Sequence, residues 1–355
     1  MDALISPKRR TLLQAMGAAA MVPGCGDFRA TTATARPQVH FAGSTMGTSF
    51  NVKIAGAALA PEREAAAVAA VQAAFDGVVA RMSTHDARSE LSRFNRHAST
   101  AAFALSDDTL AVLSLARRVS DETGGAFDVT VAPLVDAWGF GPERHTRIPD
   151  AGRVQALRAG VGYREIAIDR NAGTAGKGHP SVAADLSGIA KGYGVDAAAR
   201  ALDALGHTDY LVEAGGEVRT RGSNAAGRPW QIAIERPDAV PQRAHFITPL
   251  SGQSLATSGD YRIFYEQAGR RYSHEIDPAT GAPADHRLAS VSVVAADCAY
   301  ADALATALFV LGPERGLAVA EGRGLAAYFI VRNNVEGSLG SRASTAFAAL
   351  GGSLA

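Results

Sequence analysis

Residues 210–222 read YLVEAGGEVRTRG, two strand-like runs with Gly215 and Gly216 between them. A glycine pair at that place makes a bulge or tight turn, so the two runs fold back on each other. Close approach of a ligand to bare backbone is the second use such glycines serve. Beyond about residue 160 the same grammar recurs: YREIAID, SVAADLSG, WQIAIERP, HFITPL, SLATSGDYRIFYE and LASVSVVA all read as short strands. Helical runs interrupt them at 190–205, 301–311 and 313–323. Upstream, alternation in VHFAG and TSFNVKIAG predicts a hairpin around Met46-Gly47, and PEREAAAVAAVQAAFDGVVARM predicts a helix with Pro61 at its start. A further helix opens behind Ser106 as its cap and closes at Gly124-Gly125. Antiparallel strands with helices in separate blocks make an α+β fold. A doubly wound nucleotide fold is disfavoured, because no strand leads into Gly-x-Gly-x-x-Gly and no Walker loop is present.

The chain has 355 residues, 47% of them hydrophobic, enough for a real core. Lys plus Arg equals Asp plus Glu at 35 each, so no overall positive field draws it onto nucleic acid. No run approaches the roughly 18–20 apolar residues needed to cross a bilayer, and the body is expected to be soluble. The N-terminus differs: Lys8-Arg9-Arg10, an apolar run from Leu12 to Val22, then VPGCG. That is the anatomy of an export signal over 1–25, twin-arginine in style, with a lipoprotein-like cleavage box at Cys25. A plain signal peptide with an incidental cysteine is the alternative. Residues 26–37 suit a flexible tether, and 38–355 form the folded body. Of the two cysteines, Cys298 is left without a partner once Cys25 is lipidated or removed, and reads as a small buried hydrophobe.

Several stretches carry chemistry. ADLSGIAKGYGVD (184–196) places Asp185 at a strand end, Gly188 and Gly192 where backbone approaches a ligand, and Lys191 as a fixed charge just before a helix. A phosphate fits such a place, and capping with packing explains much of the same pattern. HEIDPATGAP (274–283) offers His274, either a structural histidine or a general base. In YADALATALFVLG (300–312), Asp302 and Thr306 stand four residues apart on one helix face. Two readings stand for them: hard oxygen ligands for Mg²⁺, or a carboxylate favoured near a helix N-terminus beside a threonine bonded back to its own helix. No zinc spacing and no Gly-x-Ser-x-Gly elbow occurs.

Eight ordered blocks between residues 44 and 312 resemble the FAD:protein FMN transferases, the ApbE flavin transferase family: STMGTSF, RMSTHDARSELSRFN, GAFDVTVAPLVDAWGFGP, ADLSGIAKGYGVD, YLVEAGGEVRTRG, LATSGDYR, HEIDPATGAP and ADALATALFVLG. The resemblance implies an ApbE-like α+β body and a Mg²⁺-dependent reaction. FAD is cleaved, FMN is joined through a phosphoester to a threonine of a target flavoprotein, and AMP leaves. The implied partner is a flavin-carrying subunit of a membrane redox complex, met on the periplasmic side of a bacterial inner membrane through a lipid anchor at Cys25. By position, Asp302, Thr306 and the Gly188 carbonyl match the family's metal ligands. Met46, His85, Ala126, Phe127, Asp128, Asp185, Lys191 and Ile276 fall where the family contacts FAD, and His274 matches the proposed base. His85 stands where relatives often have Tyr or Trp, and Ala305 where some carry a second acid. The rival functions are an FAD pyrophosphatase that frees FMN and AMP, and a non-catalytic FAD-binding lipoprotein.

Overall fold

The computed structural model describes residues 35–355 apart from residue 336. The export segment, Cys25 and the tether through residue 34 lie outside the described residues. Arg36, read as tether, is docked: its guanidinium donates to the Ser223 and Asn224 carbonyls at 3.1 and 2.7 Å. The folded body therefore begins before residue 38.

Its centre is an eight-stranded sheet of Gln38–Thr45, Thr48–Ala55, Tyr210–Ala214, Glu217–Arg221, Ser254–Gly259, Leu288–Ala295, Ala326–Arg332 and Leu339–Ala343. Strands neighbour one another in chain order, and each of these pairings is antiparallel. The Gly215-Gly216 turn joins two of them, at φ of 66° and 109°, values open to glycine and strained for other residues. Met46-Gly47 turns the first hairpin with both residues at positive φ, 46° and 74°, the geometry of a tight hairpin turn whose twist matches the strands it joins.

Both faces of the sheet are covered, which is why Leu288–Ala295 is buried along almost its whole length. Alternate residues divide between two cores. Ala256, Val291, Val293, Ala327 and Phe329 face the helices, whereas Leu255, Val294, Tyr328 and Ile330 meet Trp230, Ile232, Ile234 and Leu250. These last four belong to a small sheet of Ser353–Leu354, Ala244–Leu250 and Trp230–Glu235.

The helices are α1 (Pro61–Met82), α2 (Glu90–Arg96), α3 (Asp107–Glu122), α4 (Ala132–Ala137), α5 (Ala151–Arg158), α6 (Ser187–Ala204), α7 (Cys298–Arg323) and α8 (Thr345–Ala348). In α1, Pro61 sits in the first turn with Glu62 and Glu64, and Ala67, Val71, Phe75, Val78 and Met82 are its buried residues. Spacings of four, four, three and four put these on one stripe. Ser106 caps α3 by accepting from the Thr109 N–H at 3.4 Å. Helix α7 breaks at Gly312, at φ 76° and ψ 177°, between the two helical runs read from sequence.

Three expectations change. SVAADLSG pairs with no strand, and α6 begins at Ser187, so Lys191 lies inside the helix. Helix α7 begins at Cys298, three residues earlier than expected. Helices α1 and α7 both reach the length and hydropathy of a membrane span. In α7 those apolar residues are the core itself, with Leu304, Leu308 and Phe309 essentially sealed from solvent.

Candidate functional site

Helices α6 and α7 cross on the sheet because α6 carries glycine at the crossing. A Cβ on Gly192 would stand 2.4 Å from the Cys298 carbonyl oxygen, so this glycine serves helix packing rather than the ligand approach expected of it. The crossing also caps α7. Asp297, its N-cap residue, makes no side-chain cap bond; Asp196 of α6 takes that role, accepting from the Cys298 and Ala299 N–H groups at 3.0 and 2.9 Å. Arg219 donates to the same carboxylate at 2.6 Å. Asp196 thus fixes the start of the helix that presents Asp302 and Thr306.

Asp302 is the fifth residue of α7, past the turn where the helix dipole acts, and its side chain is buried. Its Oδ2 accepts from the Gly192 N–H at 2.9 Å, and its Oδ1 lies 3.5 Å from Lys191 Nζ. Lys191 also donates to Glu217 Oε1 at 2.7 Å. The helix-dipole account of Asp302 therefore gives way to a tertiary one. Thr306 Oγ1 lies 3.1 Å from Ser258 Oγ, and a Cβ on Gly188 would come within 3.0 Å of Thr306 Oγ1. In an ideal helix the Gly192 N–H serves the Gly188 carbonyl; its donation to Asp302 lessens the demand on that carbonyl.

Burial governs the charges here. Burial pushes the Glu217 carboxyl up to about 8 against the pull of Lys191, and burial likewise carries Glu275 up to about 8, opposed by Lys191 and the Ser258 hydroxyl. Burial alone would lower the Lys191 ammonium, but Asp302 and Glu217 hold it above the ordinary lysine range. Three buried carboxyl groups thus surround one ammonium, two of them held protonated at neutral pH by burial, and Glu217 Oε2 is buried with no hydrogen-bond partner. A divalent cation could take the place of those two protons. Among the described residues no three His, Cys, Asp or Glu side chains form a cage by themselves. Magnesium asks for less: one or two carboxylates, water and substrate phosphates. Asp302, Thr306 and the glycine backbone at 188 fit that requirement.

All twelve residues singled out from sequence line one cleft of about 1490 Å³. Met46 reaches it from the strained hairpin turn, packing toward Gly194. His85 stands exposed on the loop after α1. Phe127 is buried beside Gly188. Asp128 lines the cleft with its side chain already engaged: Oδ1 accepts from the Thr130 N–H and hydroxyl at 2.8 and 2.6 Å, and Oδ2 from the Tyr163 N–H at 2.8 Å. Its part is to shape the Ala126–Asp128 wall. The unpaired segment before α6 is fixed by Asn95, which exchanges two 2.8 Å hydrogen bonds with the Ala184 backbone. Asp185 then accepts from the Ser187 N–H at 2.8 Å, and Ile276 is buried in the opposite wall.

His274 is half-buried. Its Nδ1 lies 3.2 Å from the Ile263 carbonyl oxygen, and its Nε2 lies 3.8 Å from Glu275 Oε1. Burial pushes the imidazole down to about 4, so it is neutral at pH 7 and has a lone pair to accept a proton. Sequence reasoning missed Glu217 and Glu275. Both sit inside quoted motifs, but Glu217 opens the polar run Glu-Val-Arg-Thr-Arg and Glu275 follows His274, so no local pattern marked either as buried.

The ApbE family model matches residues 46–329. The FAD:protein FMN transferase of Haemophilus influenzae is 43% identical over 301 residues, 83% of this chain and 87% of that protein. The FAD:protein FMN transferase of Vibrio cholerae is 44% identical over 299 residues, 84% and 88% of the two chains. The structure of the flavin transferase ApbE from Vibrio cholerae superposes with a TM-score of 0.80 at 43% identity, covering 89% of this chain and 99% of that one.

Proposed function

The chain belongs to the ApbE family, and from that premise we propose that it is a magnesium-dependent FAD:protein FMN transferase that modifies a threonine of a target flavoprotein and releases AMP. The observation that carries this reading is the convergence of His274, Lys191 and the Asp302–Thr306 pair on one cleft. Storage of a flavin needs neither a base nor a cluster of buried carboxyl groups.

Asp302, Thr306 and the Gly188 carbonyl would hold the metal, which when bound would neutralise charge on the pyrophosphate of FAD. Lys191, kept charged by Asp302 and Glu217, adds a fixed positive charge at the same end of the cleft. The Ala126–Asp128 wall, Met46, His85 and Ile276 position the dinucleotide, so that the barrier is lowered by placement as well as by charge. His274 Nε2 takes the proton of the acceptor threonine as its oxygen bonds to the FMN phosphorus. The phosphoanhydride bond breaks, and AMP carries away its electron pair. A hydroxyl is a poor nucleophile until a base removes its proton.

Reading residues 1–25 as an export signal with a lipidated Cys25 supports a lipid-anchored enzyme on the periplasmic side of the inner membrane, beside a flavin-carrying subunit of a membrane redox complex. The decisive experiment incubates the protein with FAD, Mg²⁺ and a threonine-bearing acceptor domain, and weighs the acceptor by mass spectrometry. A gain of one FMN phosphoester with one AMP released is expected. Free FMN produced equally well without acceptor would mark a pyrophosphatase, and uncleaved FAD would mark a carrier.

A further inference from the structure

One carbonyl holds His274 twice: the Ile263 oxygen receives the His274 backbone N–H at 3.3 Å and lies 3.2 Å from its Nδ1. A carbonyl can only accept, so Nδ1 carries the proton and Nε2 keeps the lone pair. Ile263 ends a bend, residues 260–263, that has no strand ladder of its own. Something else must fix it. Asp260, buried, anchors the bend through its N–H to the Ala289 carbonyl at 3.2 Å and through both carboxylate oxygens. These accept from the two terminal nitrogens of Arg332 at 2.8 and 2.7 Å. Arg332 ends the seventh strand, and its Nε donates to Asp238 at 2.9 Å. Such a fork fixes orientation as well as distance. Neither Asp260 nor Arg332 lines the cleft.

We propose that Arg332 is a positioning residue: by forking onto Asp260 it fixes the 260–263 bend, so that the Ile263 carbonyl holds His274 as the Nδ1–H tautomer with Nε2 free for the acceptor proton. The kinetic half of this statement rests on His274 acting as the base. The tautomer half does not.

The test uses full-length protein with ¹⁵N-labelled histidine, the His274 signals being assigned by their loss in His274→Gln. Two-bond ¹H–¹⁵N spectra of the parent are expected to show Nδ1–H. Arg332→Met is expected to mix in the Nε2–H form, and Asp260→Asn, which keeps shape while losing the charged fork, is the second variant should the first fold poorly. Arg332→Lys restores the tautomer in part, since lysine lacks the fork. Transfer by Arg332→Met should fall about 10- to 100-fold, the range expected of a misplaced catalytic group, with KM for FAD little changed. In the His274→Ala background the same substitution should cost nothing further. An unchanged Nδ1–H tautomer in both variants overturns the proposal, as does a full additive loss in the His274→Ala background. If the tautomer shifts while His274→Ala transfers at the parental rate, positioning stands and the role of His274 as base falls.

Discussion

Replacing Asp302 by asparagine separates a metal ligand from a structural residue. The amide side chain would keep a carbonyl oxygen for the Gly192 N–H, now held at 2.9 Å, and remove only the negative charge. The lost Coulomb attraction to Lys191 at 3.5 Å is about 5 kcal/mol at an effective dielectric of about 20. Little of it is lost as net stability, because the carboxylate is also relieved of its own desolvation. Lys191 keeps Glu217 at 2.7 Å. The metal-free variant should therefore melt within a few degrees of the parent, about 1 kcal/mol in either direction. Turnover should respond differently. An anionic donor lost from a metal that stabilises transition-state charge by several kcal/mol predicts at least about a 100-fold slower reaction, from about 3 kcal/mol. The assay is covalent flavin on an acceptor domain, read by in-gel fluorescence and mass while MgCl₂ is titrated. The half-saturating Mg²⁺ concentration should rise as the rate falls. An unchanged rate and Mg²⁺ dependence would refute the ligand assignment, and a rate loss matched by a large drop in melting temperature would return Asp302 to a structural role.

Other outcomes follow from the same geometry. Gly192→Ala should destabilise the fold by about 2 kcal/mol or more, since its Cβ meets backbone that cannot rotate away; urea unfolding measures it. Asp196→Ala should cost about 2–4 kcal/mol by uncapping α7 and removing the carboxylate nearest Arg219, which keeps only the Ala296 carbonyl and Asp297, with calorimetry as the check. His274→Gln should retain FAD binding, read by fluorescence titration, while losing transfer. Glu217 and Glu275, raised to about 8 by burial, hold protons that the unfolded chain releases near about 4.3. Their contribution to stability is present below that value and fades as pH rises through about 8. The metal-free protein should accordingly melt lower at about pH 9 than at about pH 6, and Mg²⁺ should release protons on binding, seen by calorimetry in buffers of different ionisation enthalpy. His274, lowered to about 4, acts with the opposite sign: its neutral burial subtracts stability as pH falls from about 6.5 toward about 4.

Local signals carried much of the molecule. Pro61, Ser106, the Gly215-Gly216 pair and the Met46-Gly47 turn mark chain reversals and helix starts by chemistry that acts within a few residues, and the structure bears them out. The break between 301–311 and 313–323 was legible for the same reason, because Gly312-Pro313 disrupts a helix locally. The residues that face the cleft were legible as motif positions. Where local propensity misled, a partner distant in sequence decided: SVAADLSG has strand composition, but Asn95 takes the Ala184 backbone that a neighbouring strand would have paired.

By itself the sequence determined an α+β body, the order of its elements and a set of oxygen- and nitrogen-bearing side chains with the chemistry for a metal, a phosphate and a proton. The tertiary structure decided their electrostatics and aim. Only the crossing of α6 over α7 brings Asp196 to cap the helix, Lys191 to Asp302 and Gly192 to the Cys298 carbonyl. Only the sheet brings Glu217 beneath them. A charge interaction depends on distance and on the water excluded between the partners. Neither quantity exists until residues far apart in the chain are packed together.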